Sequence, residues 1–382
     1  MRRYDIDSLR VIVFGLLIFY HVGMFFVPWD FHIKNSVTYE WLKYPMIFLN
    51  RWRLPLLFVI SGMGTFFNIS KRDGCGFAKE RFVRLFIPLV AGILFIVPPQ
   101  VYFERLDAGQ FSGNYFEFWP LKAFIGVYPE GNFSWHHLWF IPYLLLYSLV
   151  LTPIFLYLRN NPQAWLMRKM KKLVAYKLGL YALAILPFCA DFYLTPYFPS
   201  THALVNDWHN HAIYCLLFFY GFLLVALKDV FWENVKRNRR LYLITGIVAY
   251  VLMMFIEFWT DSFPNKKIVF IFIGVIFGWS WILTCIGYAA TYLNKPSRIL
   301  AYANEAVYPF YILHQTVMVA LGYYLKNVDM VFAAKFSVMA VGTFGISWLI
   351  YEFGIRRYTW IRPLFGMKIH EKSYKYISNK YK

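Results

Sequence analysis

"SLRVIVFGLLIFYHVGMFF", residues 8–26, decides the fold: it is apolar for the length of a membrane span, yet it carries Arg10 near its start and His21 eleven positions later. In an α-helix, eleven steps of about 100° return to within about 20° of the starting face. A rise of about 1.5 Å per residue then puts His21 about 16 Å beyond Arg10. The two side chains share one stripe. With Arg10 at headgroup level, His21 falls near the centre of a hydrocarbon core about 30 Å thick. An ionisable group is costly there and marks a functional site by default.

The rest of the chain extends this reading. Its 382 residues are 59% hydrophobic and 22% aromatic with only 15% charged, the composition of an integral membrane protein. The formal charge of +19 comes from basic residues separated by long apolar spans, and these form no nucleic-acid-binding motif. Hydrophobic stretches predict an all-α polytopic membrane protein of about ten transmembrane helices in one bundle. They fall at 9–28, 44–67, 85–103, 138–158, 173–195, 212–228, 241–259, 268–292, 304–325 and 333–354.

Charge sets the orientation. Lys71, Arg72, Lys79, Arg81 and Arg84 fall in one connecting loop, Arg159, Arg168, Lys169, Lys171 and Lys172 in the next but one, and Lys236, Arg237, Arg239 and Arg240 in a third. Residues 195–211 carry no Lys or Arg. The positive-inside rule therefore predicts cytoplasmic N- and C-termini. The expected organisation is a membrane domain over 1–355 and a basic cytoplasmic tail over 356–382. No small-residue cleavage site follows the first apolar run, so it reads as a retained helix. The longest outside loop, 104–137, is shorter than most sequences that fold alone, and no internal repeat is visible.

Cys75, Cys189, Cys215 and Cys285 are scattered without metal-ligand spacing, and His202, His209 and His211 lack carboxylate support, so no metal site is expected. Several polar residues lie where lipid would reject them. Arg53, in "NRWRLPLLFVISGMGTFF", lies deeper than Arg51 and precedes Pro55, whose ring leaves helical carbonyls to be satisfied by neighbours. Ser61 with Gly62 and Gly64 fits either that pocket or close helix packing. Arg81 and Arg84 share a helical face at the start of the third span. Positive-inside bias explains them, and so does a guanidinium clamp for the phosphates of a nucleotide-bearing donor. In "SWHHLWFIPYLL", Trp135, Trp139 and Tyr143 fit an interfacial belt. In "ANEAVYPFYILHQTV", Glu305 lies near the cytoplasmic end and His314 about 13 Å deeper, a second mid-membrane histidine.

These blocks carry a resemblance. "DSLRVIVFGLLIFYH" is similar to the Arg-x10-His signature of the membrane-bound acyltransferase-3 family, and "LPLLFVISG", "HHLWFIPYLLLY" and "YPFYILHQ" resemble its later blocks in the same order, over roughly residues 4–320. "RWRLPLLFVISG" and "YPFYILHQTV" are closest to the family's glucan-modifying branch, which is associated with succinylating periplasmic glucans. The resemblance implies O-acyl transfer at the inner membrane from cytosolic acyl-CoA, the donor substrate, to a hydroxyl of an extracytoplasmic glycan or other carbohydrate. It implies no bound cofactor and no nucleic-acid partner. His21 and Arg10 would be catalytic, and Arg81 and Arg84 would bind the donor. His137, Trp139, Glu305 and His314 would serve the acceptor or a supporting polar centre, for which the reading of the second span adds Arg53 and Ser61 as candidates. A transporter with a buried His/Arg path is the alternative, and it predicts inverted repeats with matching broken helices.

Overall fold

The computed structural model describes residues 2–259 and 265–368. Among them the chain is helical, with no strand beyond one isolated bridge between Val127 and Phe133. The principal helices are α1 (Tyr4–Phe26), α2 (Lys43–Ile69), α3 (Gly74–Asp107), α4 (Phe140–Val150), α5 (Thr152–Asn160) and α6 (Trp165–Ala175). They continue with α7 (Ile185–Leu194), α8 (Trp208–Ala226), α9 (Asp229–Trp259), α10 (Lys266–Tyr292), α11 (Arg298–Leu325) and α12 (Phe332–Leu349).

Among the described residues, seven helices are long and apolar enough to cross a membrane. A bent pair, His136–Val150 with Thr152–Asn160 at 50°, makes up to eight. The multi-pass helical protein expected from the sequence is therefore present. Two of the ten expected spans are not among these eight. The stretch expected at 173–195 is represented by the shorter apolar helix Gly179–Leu194. The one expected at 304–325 is α11, whose apolar runs are broken by Asn304, Glu305, His314 and Gln315.

The chain divides into two compact units. The first holds residues 1–20, 39–79 and 142–304, and the second residues 21–38, 80–141 and 305 onward. In the first, α2 packs on α8 and α9 packs along α10. The α2–α8 crossing depends on two glycines. A Cβ on Gly62 would lie 1.9 Å from the Phe218 carbonyl oxygen, and one on Gly221 would lie 2.0 Å from that of Val59. Between helices in lipid, close backbone approach of this kind provides the packing that the hydrophobic effect cannot. Beyond the end of α2, Arg159 Nη1 donates to the carbonyls of Ile69 (2.8 Å) and Arg72 (2.7 Å), satisfying orphan acceptors.

In the second unit, Lys34 closes the end of α1 by donating to the carbonyls of Met24 (2.6 Å) and Val27. Burial pushes its ammonium pKa down to about 8, against the opposing charge of Asp30. Buried Lys335 reaches Asn35 Oδ1 at 2.7 Å, tying the loop after α1 to α12. The long loop after α3 is pinned by Arg105, whose guanidinium donates to Asn132 Oδ1 and to the carbonyls of Pro129 and Gly131. That loop delivers the chain to a 3-10 turn, His136–Trp139, at the start of α4.

Past residue 355 the chain keeps packing within this unit. Arg362 is buried and donates to the Arg356 and Lys368 carbonyls and to Glu305 Oε1. Residues 369–382, the rest of the expected basic tail, lie outside the described residues.

Candidate active site

The centre of the second unit is built on α11. Pro309 interrupts its hydrogen-bond ladder, and the following turn turns its polar side chains inward. His314 is fully buried, and its Nδ1 lies 2.7 Å from the Tyr311 carbonyl and 3.2 Å from that of Phe310. A carbonyl only accepts, so Nδ1 carries the proton and Nε2 the lone pair. That Nε2 lies 2.9 Å from His21 Nδ1. His21 Nδ1 must therefore donate, and a neutral His21 carries its own lone pair on Nε2. One backbone carbonyl thus fixes two tautomers in series. The result is a basic imidazole nitrogen on α1, oriented through His314.

A third histidine braces this pair. The ring of His137 stands edge-on to His314, with centroids 5.2 Å apart at 88°. Its Nε2 donates to the Ile312 carbonyl (2.9 Å), which leaves Nδ1 to accept from Gln100 Nε2 at 3.3 Å. Gln100 also donates to Thr316 Oγ1 (2.7 Å) and accepts from Gln315 Nε2 (3.1 Å), while Tyr311 donates to the His137 carbonyl. Both nitrogens of His137 are thus engaged by α11 and α3. Trp139 shares its 3-10 turn, half-buried. The structure brings His21, His137 and His314 together. It adds Gln100, Gln315, Thr316 and Tyr311, which the sequence reading missed. The available signal was a glutamine in each of two apolar runs, "VPPQV" and "ILHQTV".

Glu305 is engaged elsewhere on α11. It pairs with Arg362 at 2.6 Å and faces Arg356 at 3.9 Å, and Arg356 is held in turn by Glu352 at 3.0 Å. Nine residues of helix, about 13 Å, separate this cluster from His314. Arg81 and Arg84 both face Glu80, each at 3.5 Å, and Arg84 is half exposed. A clamp here shares its charge with a resident carboxylate.

In the first unit, Arg10 donates to Asn304 Oδ1 (3.1 Å) and pairs with Asp7 (3.4 Å), beside Gly64. α1 runs unbroken through Arg10 and His21. Ser61 lends its backbone carbonyl to Thr65 Oγ1, while neighbouring Gly62 serves the helix crossing. Arg53 is the outlier. It is 1% exposed with its guanidinium carbon 3.7 Å above the Tyr20 ring, and its Nε and Nη1 are buried without a hydrogen-bond partner among the described residues. A buried cation facing aromatic rings is a ready receptor for an anionic group.

These helices and their buried polar centre define a multi-pass helical membrane protein. Residues 3–352 match the acyltransferase domain of the acyltransferase-3 family, and the chain belongs to that family. It is 22% identical over 369 residues to the glucans biosynthesis protein C of Escherichia coli strain K12, covering 93% of this chain and 92% of that protein. The proteins of the same name from Escherichia coli O81 (strain ED1a) and O6:K15:H31 (strain 536) match equally. No solved structure matches.

Proposed function

We propose that the protein is an inner-membrane O-acyltransferase that moves an acyl group, acetyl or succinyl, from cytosolic acyl-CoA to a hydroxyl of an extracytoplasmic glycan. The observation that carries this reading is the relay from the Tyr311 carbonyl through His314 to His21, which leaves His21 Nε2 as the base. The acceptor oxygen attacks the thioester carbonyl as its proton passes to His21 Nε2. The C–O bond forms, the C–S bond breaks, and the departing CoA thiolate takes the proton back. His314 is a positioning residue in this scheme, holding the tautomer and accepting from His21 in both protonation states. His137 supports its helix through the Ile312 carbonyl and Tyr311.

Arg81 and Arg84 are assigned to the phosphates of the donor, because guanidinium groups match phosphate oxygens bidentately. Arg53 is assigned to an anion, either the free carboxylate of a dicarboxylic acyl group or an acidic acceptor. Ten crossings with cytoplasmic termini would let a cytosolic donor reach a far-side acceptor, and the basic loops support that orientation. The name of the similar proteins supports a glucan as the acceptor.

The test gives membranes holding the protein labelled acetyl-CoA or succinyl-CoA and follows the label into the extracytoplasmic glycan fraction. Transfer above that of membranes lacking the protein is expected. Substrate flux across the membrane with no consumption of either donor would overturn the reading.

A further inference from the structure

A second cluster in the same unit takes no part in the scheme above. His32, from the loop after α1, Glu104, near the end of α3, and His136, on the turn before α4, converge so that one ligand atom from each lies within 4.8 Å of the others. His32 Nδ1 is 3.0 Å from Glu104 Oε2, and His136 Nε2 is 3.6 Å from the same oxygen. We propose that these three residues bind a divalent transition metal ion of the zinc class.

The chemistry of His136 carries the argument. Its side chain is 1% exposed. Its Nδ1 lies 2.7 Å from Ser134 Oγ, and its backbone N–H also donates to that oxygen at 2.9 Å. Ser134 Oγ thus engages Nδ1 and the backbone of His136 and leaves Nε2 facing into the cluster. That Nε2 is buried with no hydrogen-bond partner among the described residues. It faces a carboxylate oxygen across a gap too long for a hydrogen bond. A buried imidazole nitrogen held by no hydrogen bond, beside a carboxylate oxygen and a second imidazole, is a donor set for a cation.

The spacing suits such an ion. Zinc bonds of about 2.0–2.1 Å at a tetrahedral angle separate neighbouring ligand atoms by about 3.3 Å, between the two distances observed. Two imidazoles with one carboxylate select zinc-like ions over magnesium or calcium, which prefer all-oxygen shells. The supporting groups are also in place. Tyr128 OH donates to Glu104 Oε1 at 2.9 Å, turning Oε2 toward the histidines, and the rings of His32 and His136 stack at 4.6 Å. Three protein ligands leave a fourth position for water or for an oxygen of a bound molecule. The ligands come from three distant segments, so no local spacing in the sequence announces them.

The test uses the full-length protein, purified in detergent without a polyhistidine tag, stripped with chelator, reloaded with Zn2+ and desalted. Elemental analysis of the wild type should find one ion per chain. His136→Ala and Glu104→Gln should retain at least tenfold less, while His209→Ala, outside the cluster, should load like the wild type. Co2+ loaded into the stripped wild type should give visible ligand-field bands, a reading that needs no variant to fold. Stripped wild type that neither retains Zn2+ nor develops the Co2+ bands would overturn the proposal, as would Zn2+ retained equally by the cluster variants. Both readings are made without turnover, so failure of the acyl-transfer reading leaves this result intact.

Discussion

The middle and the N-terminal end of α11 handle buried polarity in opposite ways. At His314 the partners are a carbonyl and another imidazole, and every hydrogen bond has a direction fixed by the one before it. At Glu305 the partners are Arg362 and Arg356, full charges whose attraction has little directionality. The first arrangement stores no net charge and presents a lone pair, so it can accept a proton when a reaction releases one. The second resists change, because removing either partner leaves a charge in a partly buried place. One helix thus carries a directional hydrogen-bond chain at its middle and an ion-paired anchor for the C-terminal segment near its start.

That contrast can be broken by substitution. The largest effect is expected at the reactive centre: His21→Ala should lower the transfer rate by about 10²- to 10⁴-fold, the usual worth of a general base, at unchanged protein abundance in the membrane. His314→Ala should cost less, about 10- to 100-fold in kcat, since His21 keeps its ring but loses its fixed tautomer. His314→Gln, whose amide oxygen can accept from His21 Nδ1, should recover part of the loss. At the other end of α11 the effect should move from rate to stability. Arg362→Ala should lower the melting temperature of the detergent-purified protein, with a cost of about 1–3 kcal/mol because Glu305 is itself one-third exposed. A fall in kcat with no change in melting temperature would erase the distinction between the two ends.

The smallest effect is expected in the first unit, at Asp207 before α8. Burial alone would raise its pKa, but hydrogen bonds from Tyr143, Asn210 and the Thr201 backbone outweigh it and hold the carboxyl below its ordinary value. A depressed carboxylate stabilises the fold above its unfolded pKa and loses that contribution as pH falls through the folded one. Asp207→Asn should therefore melt below the wild type at pH 7, and the gap should narrow under acid conditions below about pH 4. A gap that widens on acidification would reverse the assignment.

How much of this was legible in the sequence follows from how local each signal is. The Arg10–His21 stripe was readable because a single helix fixes it, and His314 because one ionisable residue in an apolar run is conspicuous. Gln100 was not, since an uncharged amide after two prolines looks like an ordinary helix irregularity. Glu305 was read as part of the polar centre because its partner, Arg362, lies 57 residues away in what composition presents as a loose basic tail. In α11, Asn304, Glu305, His314 and Gln315 lower the hydropathy, so this helix, read from the sequence as a span, is not among those that pass by length and apolarity.

The most direct test of the relay is a double-mutant cycle on His21 and His314, comparing the initial rates of label transfer for wild type, His21→Ala, His314→Ala and the double variant at equal abundance. If His314 acts only by orienting His21, the double variant should be no slower than His21→Ala alone. A double variant slower than His21→Ala by the full factor of the His314 single variant would contradict the account and give His314 a role of its own.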